Sequence, residues 1–549
     1  MERPFNIIIK LLLLCSVSLV FFAPNSIFAQ NHPVVSKPNI LWLIAEDISP
    51  FLSSYGDSTA KTPNLDRLAS EGVRYTNVFS VSGVCAPSRS CLITGMYPTS
   101  IGTNNMRTLN VASHLGIPKY SVVLPSHVKM FSELMRKEGY YCTNNSKQDY
   151  QFVAPRSGWD ESSTQAHWKK RPKDKPFFSV FTFNVTHESQ IWEKRKDPLL
   201  VDPDNVNLPP YYPDTRLIRE DVARMYSNIM EMDKQVGILL NQLENEGLLE
   251  NTIVLWFSDN GGPLPRGKRE VYDSGLRIPL LIRFPDKKLA GTVSSQLISF
   301  VDFAPTTLSL ASISIPSYMQ GQAFSGASKA ESSRKYIHAA RDRMDTEYDM
   351  VRAVRDERYK YVKNFQPEKP YLQNIIFRQS LNVMKELHRL NEENKLNAVQ
   401  QLWFRKSKDP EELFDTKTDP FELENLALNP RYGTKLKELR NELERWMKYT
   451  GDKGFIPEKQ WIASFWPDLK QPITSDPAFK VENGLLSLSS ATRGASLSYK
   501  IPDVNQDINA IAWQLYTNPL RLKAGQKVFT IAERIGYQES RIKEFTIPN

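Results

Sequence analysis

Two short apolar runs constrain this chain more than anything else in it. Ile40-Leu41-Trp42-Leu43-Ile44-Ala45 ends in Glu46-Asp47, and Ile253-Val254-Leu255-Trp256-Phe257 ends in Ser258-Asp259-Asn260-Gly261-Gly262. Neither alternates apolar with polar residues, so each reads as a strand buried on both faces, at the centre of a mostly parallel sheet flanked by helices. Phe177 to Phe183 is a third such run and leads into Asn184-Val185-Thr186-His187-Glu188. Helices are expected between them. Thr62-Pro63 supplies an N-cap and a first-turn proline, Leu65, Leu68 and Ala69 an apolar stripe, and Gly72 a stop. Val222, Met225, Ile229, Val236, Leu239, Leu240 and Leu243 recur at helical spacing over roughly Glu220 to Glu246, before Gly247. The chain is therefore read as α/β. Acid and amide groups stand at the C-terminal ends of strands, where open α/β sheets bind ligands.

With 549 residues the chain exceeds what one small core needs, so two or more domains are expected. Lys and Arg outnumber Asp and Glu, 70 to 61, giving a net charge of +9. That excess suits a polyanionic partner and equally a merely basic surface. Arg3 and Lys10 precede an apolar stretch from Leu11 to Phe22, and Ser26-Ile27-Phe28-Ala29 offers a cleavage site. Residues 1–29 are read as a secretory signal peptide, implying an exported protein, periplasmic or secreted, without a transmembrane anchor. Removing Cys15 with that segment leaves Cys85, Cys91 and Cys142, an odd number for an exported protein. If Cys85 is chemically consumed, the other two form either a disulfide or a pair of buried thiols.

Strand-like and helical segments continue to about Lys453. Arg355 to Lys363 reads as a strand of a smaller α+β subdomain, and Thr434 as the N-cap of a charged helix reaching Tyr449. From about Pro472 the character changes to short alternating runs (Leu485 to Leu488, Ala495 to Tyr499, Ala510 to Leu515, Val528 to Ala532), as in a small all-β sandwich.

Cys85-Ala86-Pro87-Ser88-Arg89 places a cysteine just before a proline that favours a first helical turn. Cys85 would sit at a helix N-terminus, where backbone N–H groups and the dipole favour an anion, with Arg89 one turn on as a fixed cation.

The segment from Ser82-Gly83-Val84-Cys85-Ala86-Pro87-Ser88-Arg89 through Thr94-Gly95-Met96-Tyr97-Pro98 resembles the signature of the formylglycine-dependent sulfatases. So do Thr62-Pro63-Asn64-Leu65-Asp66-Arg67, Pro38-Asn39-Ile40-Leu41 through Glu46-Asp47, Asp259-Asn260-Gly261, and Tyr272-Asp273-Ser274-Gly275 through Pro279-Leu280. Several motifs in one order cover roughly residues 37–450. The wording around Ser258-Asp259-Asn260 and Lys268 is most similar to the heparan N-sulfatase-like branch.

The resemblance implies an alkaline-phosphatase-like central mixed sheet, with a catalytic domain over 37–335, a subdomain over 336–455, and an accessory domain over 472–549. That last part resembles the immunoglobulin-like domain of chitobiases and β-hexosaminidases. It further implies that Cys85 is oxidised to Cα-formylglycine by a formylglycine-generating or anaerobic sulfatase-maturing enzyme. The hydrated aldehyde is then the nucleophile, and its second hydroxyl gives sulfate an exit by elimination that a serine lacks. Glu46, Asp47, Asp259, Asn260 and the formylglycine oxygen would hold Ca²⁺, all being hard oxygen donors. Glu46 departs from the family's usual Asp.

Arg89, Lys147 and Lys268 correspond to the family's cations around nucleophile and sulfate, and His187 to the proton donor for the leaving group. Asp149 stands where many members carry histidine, which makes it the substitute base unless another histidine serves. Arg266 and Arg269 are read as substrate contacts or a solvated loop, and His338, Arg341 and Arg343 as a leaving-group subsite or a surface ion-pair cluster. The expected substrate is a sulfated oligo- or polysaccharide, as ester or sulfamate, and no nucleic acid is expected. The competing readings are a phosphonate monoester or phosphodiester hydrolase, and a vestigial glycan-binding protein.

Overall fold

The computed structural model describes residues 37–503 and 506–548. The expected signal segment over 1–29, with Arg3, Lys10 and Cys15, lies outside them. Eight strands form the central sheet: β1 (Asn39–Ala45), β2 (Val73–Phe79), β3 (Tyr141–Asn145), β4 (Glu161–Ser162), β5 (Phe177–Phe183), β6 (Thr252–Ser258), β7 (Arg277–Arg283) and β8 (Thr292–Ser299). Their order is β4-β3-β5-β1-β6-β7-β2-β8. β1 pairs in parallel with both β5 and β6, and β7 alone runs against its two neighbours. The expected α/β architecture is thus what the chain adopts.

Every residue of β1 and of β6 is buried. Alternate side chains of β1 feed opposite faces. Trp42 packs edge-on against Phe178 and Phe257 on one face, while Leu41 and Leu43 join Ile229, Met232 and Trp256 on the other. Removing a large ring such as Trp42 from that packing costs about 3–5 kcal/mol. The helix Arg216–Asn245 covers the second face, capped by Thr215, whose hydroxyl accepts from the Ile218 N–H.

A second sheet of β9 (Ile337–Arg341), β10 (Val351–Arg355), β11 (Tyr359–Asn364) and β12 (Glu411–Asp415) is wholly antiparallel. The single strand expected over Arg355 to Lys363 is instead the second half of the β10–β11 hairpin, because Asp356 accepts from the Arg358 and Tyr359 N–H groups and turns the chain. The helix expected from Thr434 starts at Gly433, with no side-chain cap, and ends at Thr450.

In the tail, β13 (Ala478–Glu482), β14 (Leu485–Ser489) and β17 (Leu520–Arg521) form one sheet. β15 (Ser496–Lys500), β16 (Gln514–Leu515), β18 (Lys527–Glu533) and β19 (Lys543–Thr546) form another. Leu486, Leu488 and Val528, from the two sheets, share a small core, as in a sandwich. Only Gln514–Leu515 of the run expected over Ala510 to Leu515 is strand; Ile508–Ala510 is a helical turn. No helix among the described residues is long and apolar enough to cross a membrane.

Candidate active site

The C-terminal ends of β1, β5 and β6 converge on one spot, because parallel neighbours in register end together. Ala45 lies opposite Phe183 on one side and Ser258 on the other. The residues that follow, Glu46 and Asp47, His187 and Glu188, Asp259 and Asn260, are thereby gathered. Asp47 takes a left-handed conformation (φ 57°), tolerable for Asp, that turns the chain out of the strand. Its carboxylate accepts from the Glu188 N–H at 2.8 Å and from Asn260 Nδ2 at 2.9 Å, and its own N–H donates to Asp259 Oδ1 at 3.3 Å.

Cys85 begins the helix Cys85–Thr94, in which every residue is buried. The loop before it is pressed against the segment 266–270: the Arg269 N–H donates to the Gly83 carbonyl, and a Cβ on Gly83 would stand 2.3 Å from the Glu270 carbonyl. Only glycine fits there, and that contact brings Lys268 up beside the helix N-terminus. Burial pushes the Cys85 thiol well above its ordinary range, and the nearby Asp149 charge adds to it.

Each carboxylate at the strand ends carries a cation. Lys268 Nζ lies 2.5 Å from Asp47, Lys147 pairs with Glu46, and Arg89 Nε donates to Asp259 at 2.8 Å. Burial would raise the Asp47 carboxyl, but Lys268 and His187 bring it below the usual range. Glu46 is instead raised, by burial and by the Asp259 and Asp47 charges, against the pull of Lys147. The Asn260 amide oxygen is buried with no hydrogen-bond partner. Among the described residues no three His, Cys, Asp or Glu side chains close on a common point by themselves.

Asp149 is left-handed (φ 49°), stands 3.5 Å from Lys147 and accepts a hydrogen bond from Cys85. Burial opposes its ionisation, yet Lys147, that hydrogen bond and Arg89 hold its carboxyl below the usual range. His187 lies on the other side, Nε2 4.0 Å from Glu46. Its Nδ1 accepts from the Ser189 N–H at 3.2 Å, which leaves the proton on Nε2. Burial and then Lys268 push the imidazole down to about 3, so it is neutral at ordinary pH.

Cys85, Arg89, Lys147, Asp149, His187, Lys268, Glu46, Asp47, Asp259 and Asn260 therefore form one cluster. His338, Arg341 and Arg343 do not belong to it. His338 is buried, stacked on Trp446 with ring centres 5.0 Å apart and bonded to Glu442 at 3.0 Å. Arg341 is buried against Asp349 and Gln373, and Arg343 is clamped by Glu458 through two bonds of 2.7 and 2.8 Å. All three lie on or just after β9 and are buried, each held by its own acidic partner instead of facing solvent. Arg269 is likewise held, by two bonds to Glu188, and Arg266 stacks on Tyr272 while donating to the Glu422 carbonyl.

Three participants went unread in the sequence. Glu188 bridges Lys268 and Arg269, Thr182 receives Arg89 Nη1 at 3.2 Å, and Thr186 accepts from the Glu46 N–H. Their only sequence signal is position, at the end of β5.

Residues 38–313 match the family model described as Sulfatase, and residues 266–403 match the model of the C-terminal region of N-sulphoglucosamine sulphohydrolase. The chain is 48% identical to an "Ulvan-active sulfatase" of Formosa agariphila, over 93% of this chain and 92% of that one. It is 26% identical to the human N-sulphoglucosamine sulphohydrolase, over 75% and 90%. In fold it is similar to BT4656, solved with its substrate D-glucosamine-2-N,6-O-disulfate, with TM-score 0.56 and 20% identity over 77% of this chain and all of that one. A family model spanning half the chain, together with a relative matched over nearly its whole length, places this protein in the sulfatase family, as an enzyme of that class.

Proposed function

We propose that the protein is an exported sulfatase that removes sulfate esters from a sulfated polysaccharide, with residue 85 converted to Cα-formylglycine and Ca²⁺ bound beside it. The observation that carries this reading is the position of Cys85, at the first turn of a buried helix with Asp149 hydrogen-bonded to it and three cations around it. Glu46, Asp47, Asp259 and Asn260 would hold the calcium ion, which supplies a fixed positive charge against the sulfuryl oxygens. Their chemistry fits: three carboxylates and an amide oxygen, the latter buried and without a partner. Formylglycine, when hydrated, supplies an oxygen nucleophile together with a second hydroxyl through which sulfate can leave by elimination.

The chain's own groups do the rest. Asp149, ionised, accepts the proton released at residue 85. Lys147 and Lys268 stabilise the sulfuryl oxygens as charge builds there, and Arg89 orients the group at residue 85. His187, neutral, presents its Nε2–H at the mouth and hydrogen-bonds the leaving oxygen as charge builds on it, the proton for that oxygen coming from solvent. Export is supported by the n-region, apolar run and cleavage site within residues 1–29. A polysaccharide of the ulvan type is favoured over a sulfamate because likeness to the Formosa sulfatase covers 93% of this chain, at nearly twice the identity of the human sulfamidase.

The test is mass spectrometry of the residue-85 peptide together with a Cys85→Ser variant. Active protein should carry an aldehyde at this position, and the variant should lose at least about a thousandfold in kcat. A plain thiol in fully active protein overturns the mechanism. Chelator-stripped samples titrated with Ca²⁺ should gain in Tm as the ion binds only the folded state.

A further inference from the structure

Beside the catalytic cluster lies a cavity of about 540 Å³, within the range of small-molecule sites. The two are joined by one short segment. Asn104 and Asn105 line the cavity, Met106 packs with Cys85 and Ala86, and Arg107 pairs with Asp345 at 2.5 Å. Tyr348, Phe455 and Trp461 give the cavity aromatic walls, and Phe455 is 54% exposed.

The acids in its lining are already matched. Glu458 holds Arg343, Asp342 holds Arg352 at 3.0 Å, and Asp349 holds Arg341 and Lys408. The side chains of Lys453 and Lys459, also in the lining, make no ion pair or hydrogen bond among the described residues; Lys453 Nζ lies 5.7 Å over the Trp461 ring. The rim is rigidly built. A Cβ on Gly454 would stand 2.0 Å from Arg352 Nη2, and the Gly454 N–H donates to Asp452, so Lys453 and Phe455 flank a glycine pressed against Arg352.

We propose that this cavity is a second glycan subsite, holding an anionic pyranose of the same polysaccharide chain whose sulfate is removed at residue 85. The proposal rests on the polysaccharide sulfatase reading above. Aromatic faces suit the apolar C–H face of a pyranose, amides suit its hydroxyls, and two free ammonium groups suit a sulfate or carboxylate on the ring. The subsite would let the enzyme grip the polymer away from the reacting sulfate, adding affinity without touching the chemistry.

The test uses the full-length enzyme, a Phe455→Ala variant and a Lys453→Ala/Lys459→Ala double variant. Each is assayed on ulvan and on a small aryl sulfate, and run in native gels containing ulvan. The variants should raise KM on ulvan by about tenfold, a loss of roughly one good contact's worth of binding. Kinetics on the aryl sulfate should stay within about twofold of the parent. Gel retardation by ulvan should weaken in both variants. Desulfated and carboxyl-reduced ulvan identify which anion the lysines hold, and retardation that survives both treatments overturns the proposal. So does an unchanged KM on ulvan, or aryl sulfate activity that falls in step. A parent enzyme that desulfates neither substrate sinks the sulfatase reading instead, while retardation still reports on the cavity.

Discussion

In the proposed mechanism Asp149 takes the proton released at residue 85, and its surroundings suit it to that role. Lys147 at 3.5 Å and the hydrogen bond from residue 85 keep its carboxylate ionised, so it is an acceptor over the whole neutral range. Asp149→Asn keeps the size and one acceptor oxygen but cannot take a proton. It should lower kcat on an aryl sulfate by about 10²–10⁴-fold, with Tm and the aldehyde content of residue 85 unchanged. Equal rates in parent and variant would remove Asp149 from the reaction. At this scale much was legible in the sequence, because Cys85 to Arg89 and the two strand-end pairs are short local patterns. Thr182 and Glu188 were not. Thr182 reaches Arg89 only because β5 pairs with β1 in the register that sets it opposite Ile44, and no local spacing encodes that pairing.

Elements were legible where burial is total and obscure where polar residues are buried. β1, β5 and β6 follow their apolar runs to within a residue, since a strand covered on both faces admits little else. β9 defeated the same reasoning: His338, Arg341 and the neighbouring Arg343 look like a surface cluster, yet the helix Gly433–Thr450 covers His338 with Trp446 and Glu442. That packing has a pH signature. Burial pushes His338 down to about 4, outweighing the favourable Glu442, and Glu442 is itself brought down to about 2, against burial, by His338 and Arg445. Both folded-state values lie below their unfolded ones, so the folded chain binds fewer protons and loses stability as pH falls. The His338 part disappears between about pH 6.5 and 4 and amounts to roughly 3 kcal/mol at most. A His338→Gln variant should show a shallower decline of Tm from pH 7 to pH 5 than the parent. Parallel Tm curves would mean that His338 is not the titrating group.

At the scale of the whole molecule, the β tail is fastened to the catalytic part. Lys129 donates to the Gly494 carbonyl and to Ser496, Arg156 pairs with Glu533 and Glu539, and Arg534 donates to the Leu124 carbonyl. Two glycines sit at the seam. A Cβ on Gly536 (φ 89°) would lie 2.5 Å from Val123, and one on Gly494 (φ 84°) 2.5 Å from the Ser126 carbonyl. Gly536→Ala should therefore cost about 1–3 kcal/mol, seen as a lower Tm with kcat on an aryl sulfate little changed. An unaltered Tm would mean that the tail is docked more loosely than these contacts imply. The composition change near Pro472 announced this part, but nothing in its sequence identified the surface that receives it, because the complement lies over 300 residues upstream.

The burial of the helix Cys85–Thr94 also carries a consequence for timing. Residue 85 is only 2% exposed, at the bottom of a finished site and with the 266–270 loop closed against the residues before it. No second protein can wrap its own active site around a side chain in that position. If residue 85 is converted as proposed, the modifying enzyme would have to reach the thiol before this site closes, so conversion would precede folding.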